Sequence, residues 1–142
     1  MVPLLPLPDQ MSPHSDGAEL TAVRQIALTV SDVSQSTAFY RDALGLPFLF
    51  SAGPNLAFLD VGGVRLMLAA PEEGFTAGTG SMLYFRVADI EAAHARLAER
   101  GVSFPSAPHL IAAMPDHDLW LDEFRDPDGN PLALMCEKAR SS

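Results

Sequence analysis

Residues 24–48 read RQIALTVSDVSQSTAFYRDALGLPF, and this stretch decides the architecture. Ile26, Leu28 and Val30 alternate with Gln25, Ala27 and Thr29, the period-two pattern of a strand with two different faces. Ser31 and Asp32 follow with side-chain oxygens suited to the first free helix amides, and Gln35 stands three residues after Asp32, as in a capping box. Val33, Thr37, Tyr40 and Leu44 then share one helical face. Gly45 supplies a left-handed stop and Pro47 prevents continuation. The reading is a strand, a capped helix and the start of a second strand.

Pro47–Ala52 and Asn55–Val61 read as short strands around Gly53-Pro54, and Gly62-Gly63 as a tight turn into Val64–Leu68. The order is β-α-β-β-β. After a polar, glycine-rich connector at 71–80 the order repeats. Leu83, Phe85 and Val87 alternate with Met82, Tyr84 and Arg86. Asp89 caps a helix with apolar Ile90, Ala93 and Leu97, and Gly101 ends it. Val102–Ser106, Leu110–Met114 and His117–Phe124 carry strand character. Asp126–Asn130, DPDGN, is a turn signal, and Pro131–Cys136 is the last strand.

Register supports a duplication. Val30, Asp32, Val33 and Ala38 match Val87, Asp89, Ile90 and Ala95 at one offset. Gly45 and Phe48 match Gly101 and Phe104 one residue earlier, and Gly63, Leu66 and Leu68 match Gly129, Leu132 and Leu134. The expected fold is α+β, with two βαβββ modules curved into one incomplete eight-stranded barrel, helices outside and a cleft inside. The domain reading is a Pro-rich N-terminal tail at 1–20, a first module with its connector at 21–80, a second module at 81–138 and a C-terminal tail at 139–142, all one structural domain.

Composition bounds the function. The chain has 142 residues, 48% hydrophobic and 19% charged, enough for one domain with a real core. Nine Lys and Arg against 18 Asp and Glu give a formal charge of −9, which argues against nucleic acid as a partner. Cys136 is the single cysteine, so no internal disulfide forms; this fits a cytoplasmic, reducing setting. No apolar run reaches the roughly 18 residues of a membrane span. In Met1–Glu19 the prolines at 3, 6, 8 and 13 forbid a helix or central strand, and the stretch lacks the form of a signal peptide. Disorder is one reading of it. Docking of Leu4, Leu5 and Leu7 on a groove or partner chain is the other.

On Ile26–Asp32, Ala38-Phe39-Tyr40-Arg41, Leu44-Gly45 and Phe124–Asn130 (FRDPDGN), the chain resembles the vicinal oxygen chelate superfamily of glyoxalase I, bleomycin-resistance proteins and extradiol dioxygenases. The resemblance covers about residues 22 to 137. It implies metal-dependent relatives whose divalent ion polarises two substrate oxygens, with ligands of His or Gln, then Glu, His and Glu on the cleft face. Carried onto this chain, those positions are Gln25, Met67, Met82 and Ala133. Gln25 offers an amide oxygen, Met67 and Met82 are soft thioethers, and Ala133 has no donor. The expectation is that no cofactor is bound, with a divalent metal as the alternative. The family also implies a homodimer.

The cleft face is then expected to gather Gln25, Arg65, Met67, Met82, Tyr84, Arg86, Ala133 and Met135 as ligand-binding residues, beside Ala27 and Thr29. Thioethers pack against flat rings, Tyr84 stacks and hydrogen-bonds, and Arg65 or Arg86 pairs with an anionic group. The plain alternatives are core packing for the methionines and a wet strand edge for the arginines. Trp120 is expected at the sheet surface or in a subunit contact, and His94 on a solvated helix face. A displaced metal site would use Gln25, His109 and His117, while acid–base work would fall to His117, Tyr84 or Glu123. The leading reading is a protein that binds a small organic molecule without a metal. The alternatives are a lyase, isomerase or dioxygenase with a non-standard site, and a structural partner domain.

Overall fold

A computed structural model describes residues 19–139; the reading of the N-terminal tail falls outside them except at its last residues. Strand β1 (Gln25–Thr29) leads into helix α1 (Val33–Ala38). Asp32 caps it from an extended backbone, its carboxylate accepting the Gln35 amide at 2.9 Å, which satisfies one of the orphan helix donors. The helix then widens into a π-turn, Phe39–Ala43, in which the Leu44 amide donates to the Phe39 carbonyl at 3.0 Å. A π-turn accommodates one extra residue. That is the physical reason the second half of the repeat is offset by one.

Strands β2 (Phe48–Ser51), β3 (Leu56–Val61) and β4 (Val64–Ala69) complete the first module, with sheet order β1-β4-β3-β2. The second module repeats it with β5 (Leu83–Arg86), α2 (Ile90–Glu99), β6 (His109–Ala113), β7 (His117–Arg125) and β8 (Pro131–Ala139), in order β5-β8-β7-β6. Asp89 caps α2 as Asp32 caps α1, accepting the Ala92 amide at 3.0 Å. In each sheet the first strand runs parallel to the fourth and the rest are antiparallel. The fold is α+β, two βαβββ modules as expected, but the eight strands form two unclosed four-stranded sheets. Val102–Ser106 is also not a strand. Val102 and Phe104 drop into the core from an irregular segment, where Pro105 and Pro108 remove ladder donors.

One core serves both modules. Leu28, Val30, Leu66 and Leu68 from the first pack in the same cluster as Ile90, Leu97, Phe124, Leu132 and Leu134 from the second. At roughly 1.5–3 kcal/mol for each fully buried large apolar side chain, this cluster is the main source of stability. The helix-facing residues of β1, β3, β4, β5, β7 and β8 feed it, and the edge strands β2 and β6 do not. No helix among the described residues is long and apolar enough to cross a membrane.

Polar contacts fix how the modules meet. The Tyr40 ring is fully buried, and its hydroxyl donates to Asp126 Oδ2 at 2.6 Å. Burial first, and then the Asp126 carboxylate, push the phenol's pKa far up. Asp126 also accepts the amides of Asp128 (2.9 Å) and Asn130 (2.8 Å) and the Asn130 side-chain amide (2.8 Å). Asn130 in turn accepts the Gly80 amide at 3.1 Å, and Asp128 accepts the Ser31 amide and hydroxyl. The sequence DPDGN is thus a turn and also a clamp. Gly78 is required beside it: its φ is +86°, and a Cβ there would lie 2.5 Å from the Asp128 carbonyl oxygen.

A second buried polar pair ties α2 to its own sheet. Asp122 is 0% exposed, and its Oδ2 lies 2.6 Å from His94 Nδ1, while the His94 ring stacks on Phe104 at 4.1 Å. His94 is therefore not a solvated helix residue. Trp120 likewise lies on the helix side, packed against the core with the Lys138 ammonium 4.1 Å from its ring centre, and not on an exposed sheet surface. Burial raises the Asp122 pKa, opposed by the His94 contact.

Two stability measurements follow from these contacts. Tyr40→Phe strands a buried acceptor and is expected to cost about 1–3 kcal/mol in urea unfolding; an unchanged midpoint would remove the clamp's energetic role. Because the Asp122 pKa is higher folded than unfolded, its contribution is full below the ordinary aspartate value of about 3.9 and is lost as pH rises through the folded value. The native chain should therefore lose stability relative to Asp122→Asn as pH rises from about 3.9. A relative gain would show that the His94 contact outweighs burial.

Candidate functional site

The faces turned away from the core carry the candidate residues. In the first sheet Gln25 lies opposite Arg65, Ala27 opposite Met67, Phe58 opposite Met67 on the other side, and Phe50 opposite Phe58. These side chains form a connected platform. Arg65 Nε donates to Gln25 Oε1 at 2.7 Å, and Gln25 Nε2 donates to Met67 Sδ at 3.8 Å. The Arg65 guanidinium stands 5.5 Å from the Phe58 ring centre, and Phe58 stacks on Phe50 at 4.6 Å with 23° between planes. Phe50 remains 47% exposed. A cation held on one ring and a second, accessible ring beside it make a surface suited to planar groups.

In the second sheet Tyr84 and Glu123 both lie opposite Ala133, one on each side of it. Arg86 lies opposite Met135, Met135 opposite Leu121, and Leu121 opposite His109. Tyr84 is 52% exposed, whereas Ala133 is completely covered. This face is a shallow apolar floor rimmed by Tyr84, Arg86 and Glu123. Met82 stands just before β5 and is half-buried. Tyr84 and Arg86 also line a cavity of about 550 Å³ between the modules; Gln25, Arg65, Met67, Met82, Ala133 and Met135 are not part of its wall.

The histidines do not converge. His109 lies opposite Leu121 and His117 opposite Ala139; four strand positions separate Leu121 from His117, about 13 Å. His117 Nδ1 sits 2.7 Å from Asp116 Oδ1 and its Nε2 3.7 Å from Glu137, and the His117 contact holds the Asp116 carboxyl low. His109 Nδ1 lies 3.2 Å from the Ala107 carbonyl oxygen. Among the described residues no group of three or more His, Cys, Asp or Glu is placed to hold a metal.

The superfamily's divalent ion does not fit the donors at its four positions. The Gln25 oxygen is already taken by a guanidinium, whose charge repels a cation. The Met67 sulfur is turned to Gln25, and Ala133 offers no atom. Two carboxylates that would neutralise the ion are replaced by a thioether and a methyl group. Of the expected ligand-binding residues the structure joins Gln25, Arg65 and Met67, and beside them stand Phe50 and Phe58, which the sequence reading did not include. The available signal was Phe58's place in the off-core half of the β3 alternation.

The comparisons agree with this architecture. The family model for the Glyoxalase/Bleomycin resistance protein/Dioxygenase superfamily matches residues 22–134. The uncharacterized protein YraH of Bacillus subtilis is 32% identical over 127 residues, covering 78% of this chain and 94% of that protein. A solved superfamily member from Sphaerobacter thermophilus is 27% identical with a TM-score of 0.68, over 82% of this chain and 97% of that one. TnmS3, an antibiotic binding protein from Streptomyces sp. CB03234, shares the fold at 24% identity and a TM-score of 0.67, over 85% and 99% of the two chains. With the family model spanning both modules, the chain belongs to the Glyoxalase/Bleomycin resistance protein/Dioxygenase superfamily.

Proposed function

We propose that this protein binds a small, flat organic molecule on the off-core faces of its sheets and does so without the superfamily's divalent ion. The observation that carries the reading is the Arg65–Gln25 hydrogen bond of 2.7 Å, which puts a protein cation at the first ligand position. The Phe50–Phe58 stack beside it supplies the surface on which a ring would lie. The fold shared with an antibiotic binding protein is compatible with sequestration of an aromatic compound.

Acid–base catalysis is the second reading. It rests on the imidazole of His117 held by Asp116, with Tyr84 and Glu123 on the same sheet face. Turnover that disappears with His117→Ala would favour it over binding alone.

A homodimer also belongs to this proposal. Edge strands β2 and β6 expose Phe48, Leu49 and Phe50 and Leu110 and Ile111. Unpaired apolar edges of this kind are normally covered. Sedimentation should give twice the 15.2 kDa chain mass; a monomer at micromolar concentration would sink this part.

Elemental analysis of the untagged protein should find substoichiometric metal, with the melting temperature unmoved by Mn, Fe(II), Ni or Zn. One tightly held ion per chain, with stabilisation, would overturn the metal-free reading. A thermal-shift screen of planar aromatic compounds should yield ligands that lose roughly tenfold in affinity on Phe50→Ala, as expected for one aromatic contact. Ligands indifferent to both Phe50→Ala and Arg65→Ala would show that binding occurs elsewhere.

A further inference from the structure

The seam between the modules has two halves related by the internal repeat, and they are filled differently. The correspondence that takes Val30 to Val87 takes Phe39 and Tyr40 to Arg96 and Leu97. In the strands Leu59 pairs with Leu66 as Phe124 pairs with Leu132, so Val61 holds the place that Asp126 holds in the other module. In the first half Tyr40 closes the seam. Its hydroxyl reaches Asp126 at 2.6 Å, and its ring meets Phe39 edge-on at 5.2 Å. In the second half Leu97 stands in place of the tyrosine. Val61 stands in place of Asp126, and the neighbouring Asp60 accepts the Gly63 amide at 3.3 Å.

The space is left as the cavity of about 550 Å³, within the roughly 300–1,000 Å³ of small-molecule sites. Its apolar wall includes Val61, Val87, Leu97 and Phe124. Arg86, Arg96 and Arg100 also line it, three of the nine Lys and Arg in a chain of net charge −9. Arg100 donates to the Ala43 carbonyl at 3.2 Å and is held at the seam. Arg86 and Arg96 make no ion pair with any described residue. Asp60 is the single carboxylate in the wall, and it is outnumbered three to one by guanidiniums.

We propose that this cavity binds an aromatic carboxylate. The ring would occupy the space that Tyr40 fills in the other half of the seam, against Leu97 and Phe124. The carboxylate would pair with the guanidiniums of Arg96 and Arg86, whose forked donors match its two oxygens. The site is separate from the Phe50–Phe58 platform of the first sheet, and it requires no metal.

The test is calorimetric titration of the native full-length protein with 2-naphthoate and with its neutral isostere 2-naphthamide. Naphthoate should bind at least roughly tenfold tighter than the amide, the scale of one charge-assisted contact. Arg96→Gln should remove most of that preference. Leu97→Tyr, which restores the residue of the first half, should abolish binding and raise the melting temperature. In Phe50→Ala, which removes the exposed ring of the platform, naphthoate should still bind tighter than the amide, so the two sites fail independently. Equal binding of acid and amide, a preference for the acid that persists in folded Leu97→Tyr, or loss of that preference in Phe50→Ala would each overturn the proposal. If Leu97→Tyr does not fold, the double variant Arg86→Gln with Arg96→Gln decides: unchanged naphthoate affinity overturns the assignment.

Discussion

The carboxylate of Asp126 is the interaction on which the arrangement of the two modules depends. It gathers four donors, from Tyr40, Asp128 and both amides of Asn130. Through Asn130 and Asp128 the same turn holds Gly80 and Ser31. A buried charge is tolerated only when it is hydrogen-bonded in this way. Because Tyr40 comes from the π-turn after α1, and the β1–α1 junction and the connector donate to the turn that Asp126 organises, these partners align the modules. The apolar cluster provides the larger energy, but it is non-directional; the clamp supplies the direction.

This arrangement sends the apolar alternation of the six inner and parallel-paired strands into one core and leaves their opposite faces outward. A guanidinium is bonded to the amide oxygen of Gln25, and a stacked pair of phenylalanines continues outward from it. The first interaction disfavours a divalent cation by charge; the second favours a ring by area and quadrupole. The same backbone that can orient ion ligands here orients an aromatic platform, so the fold constrains the position of a site and leaves its chemistry to a few side chains.

Duplication also explains why the seam is uneven. The two halves share the strand order, but Asp126, which follows the third strand of the second module, has Val61 as its counterpart in the first. Only the first carries the tyrosine that closes it and the π-turn that carries this tyrosine. In the second, Arg96, Leu97 and Arg100 border open space. An internal repeat diverges most readily where one copy already secures the shared interface.

The local pattern by itself determined the strand and helix order, the aspartate caps at 32 and 89, the repeat and the side of β1, β4, β5 and β8 that faces away from the core. These follow from period-two alternation, caps and turns, which are short-range constraints. The resemblance to the superfamily, not the pattern, assigned its four ligand positions to Gln25, Met67, Met82 and Ala133. What the pattern misjudged was long-range. Val102–Ser106 has strand composition but serves as a packed loop. His94 looks exposed by helical position yet meets Asp122, 28 residues on. Trp120 turns to the helix side under Lys138. The two separate sheets, the double use of DPDGN as turn and clamp, the Arg65–Phe58–Phe50 stack and the cavity facing Leu97 were decided by tertiary structure alone. Each depends on which segments, distant in sequence, approach one another, and that is set by the summed packing of both modules rather than by any local pattern.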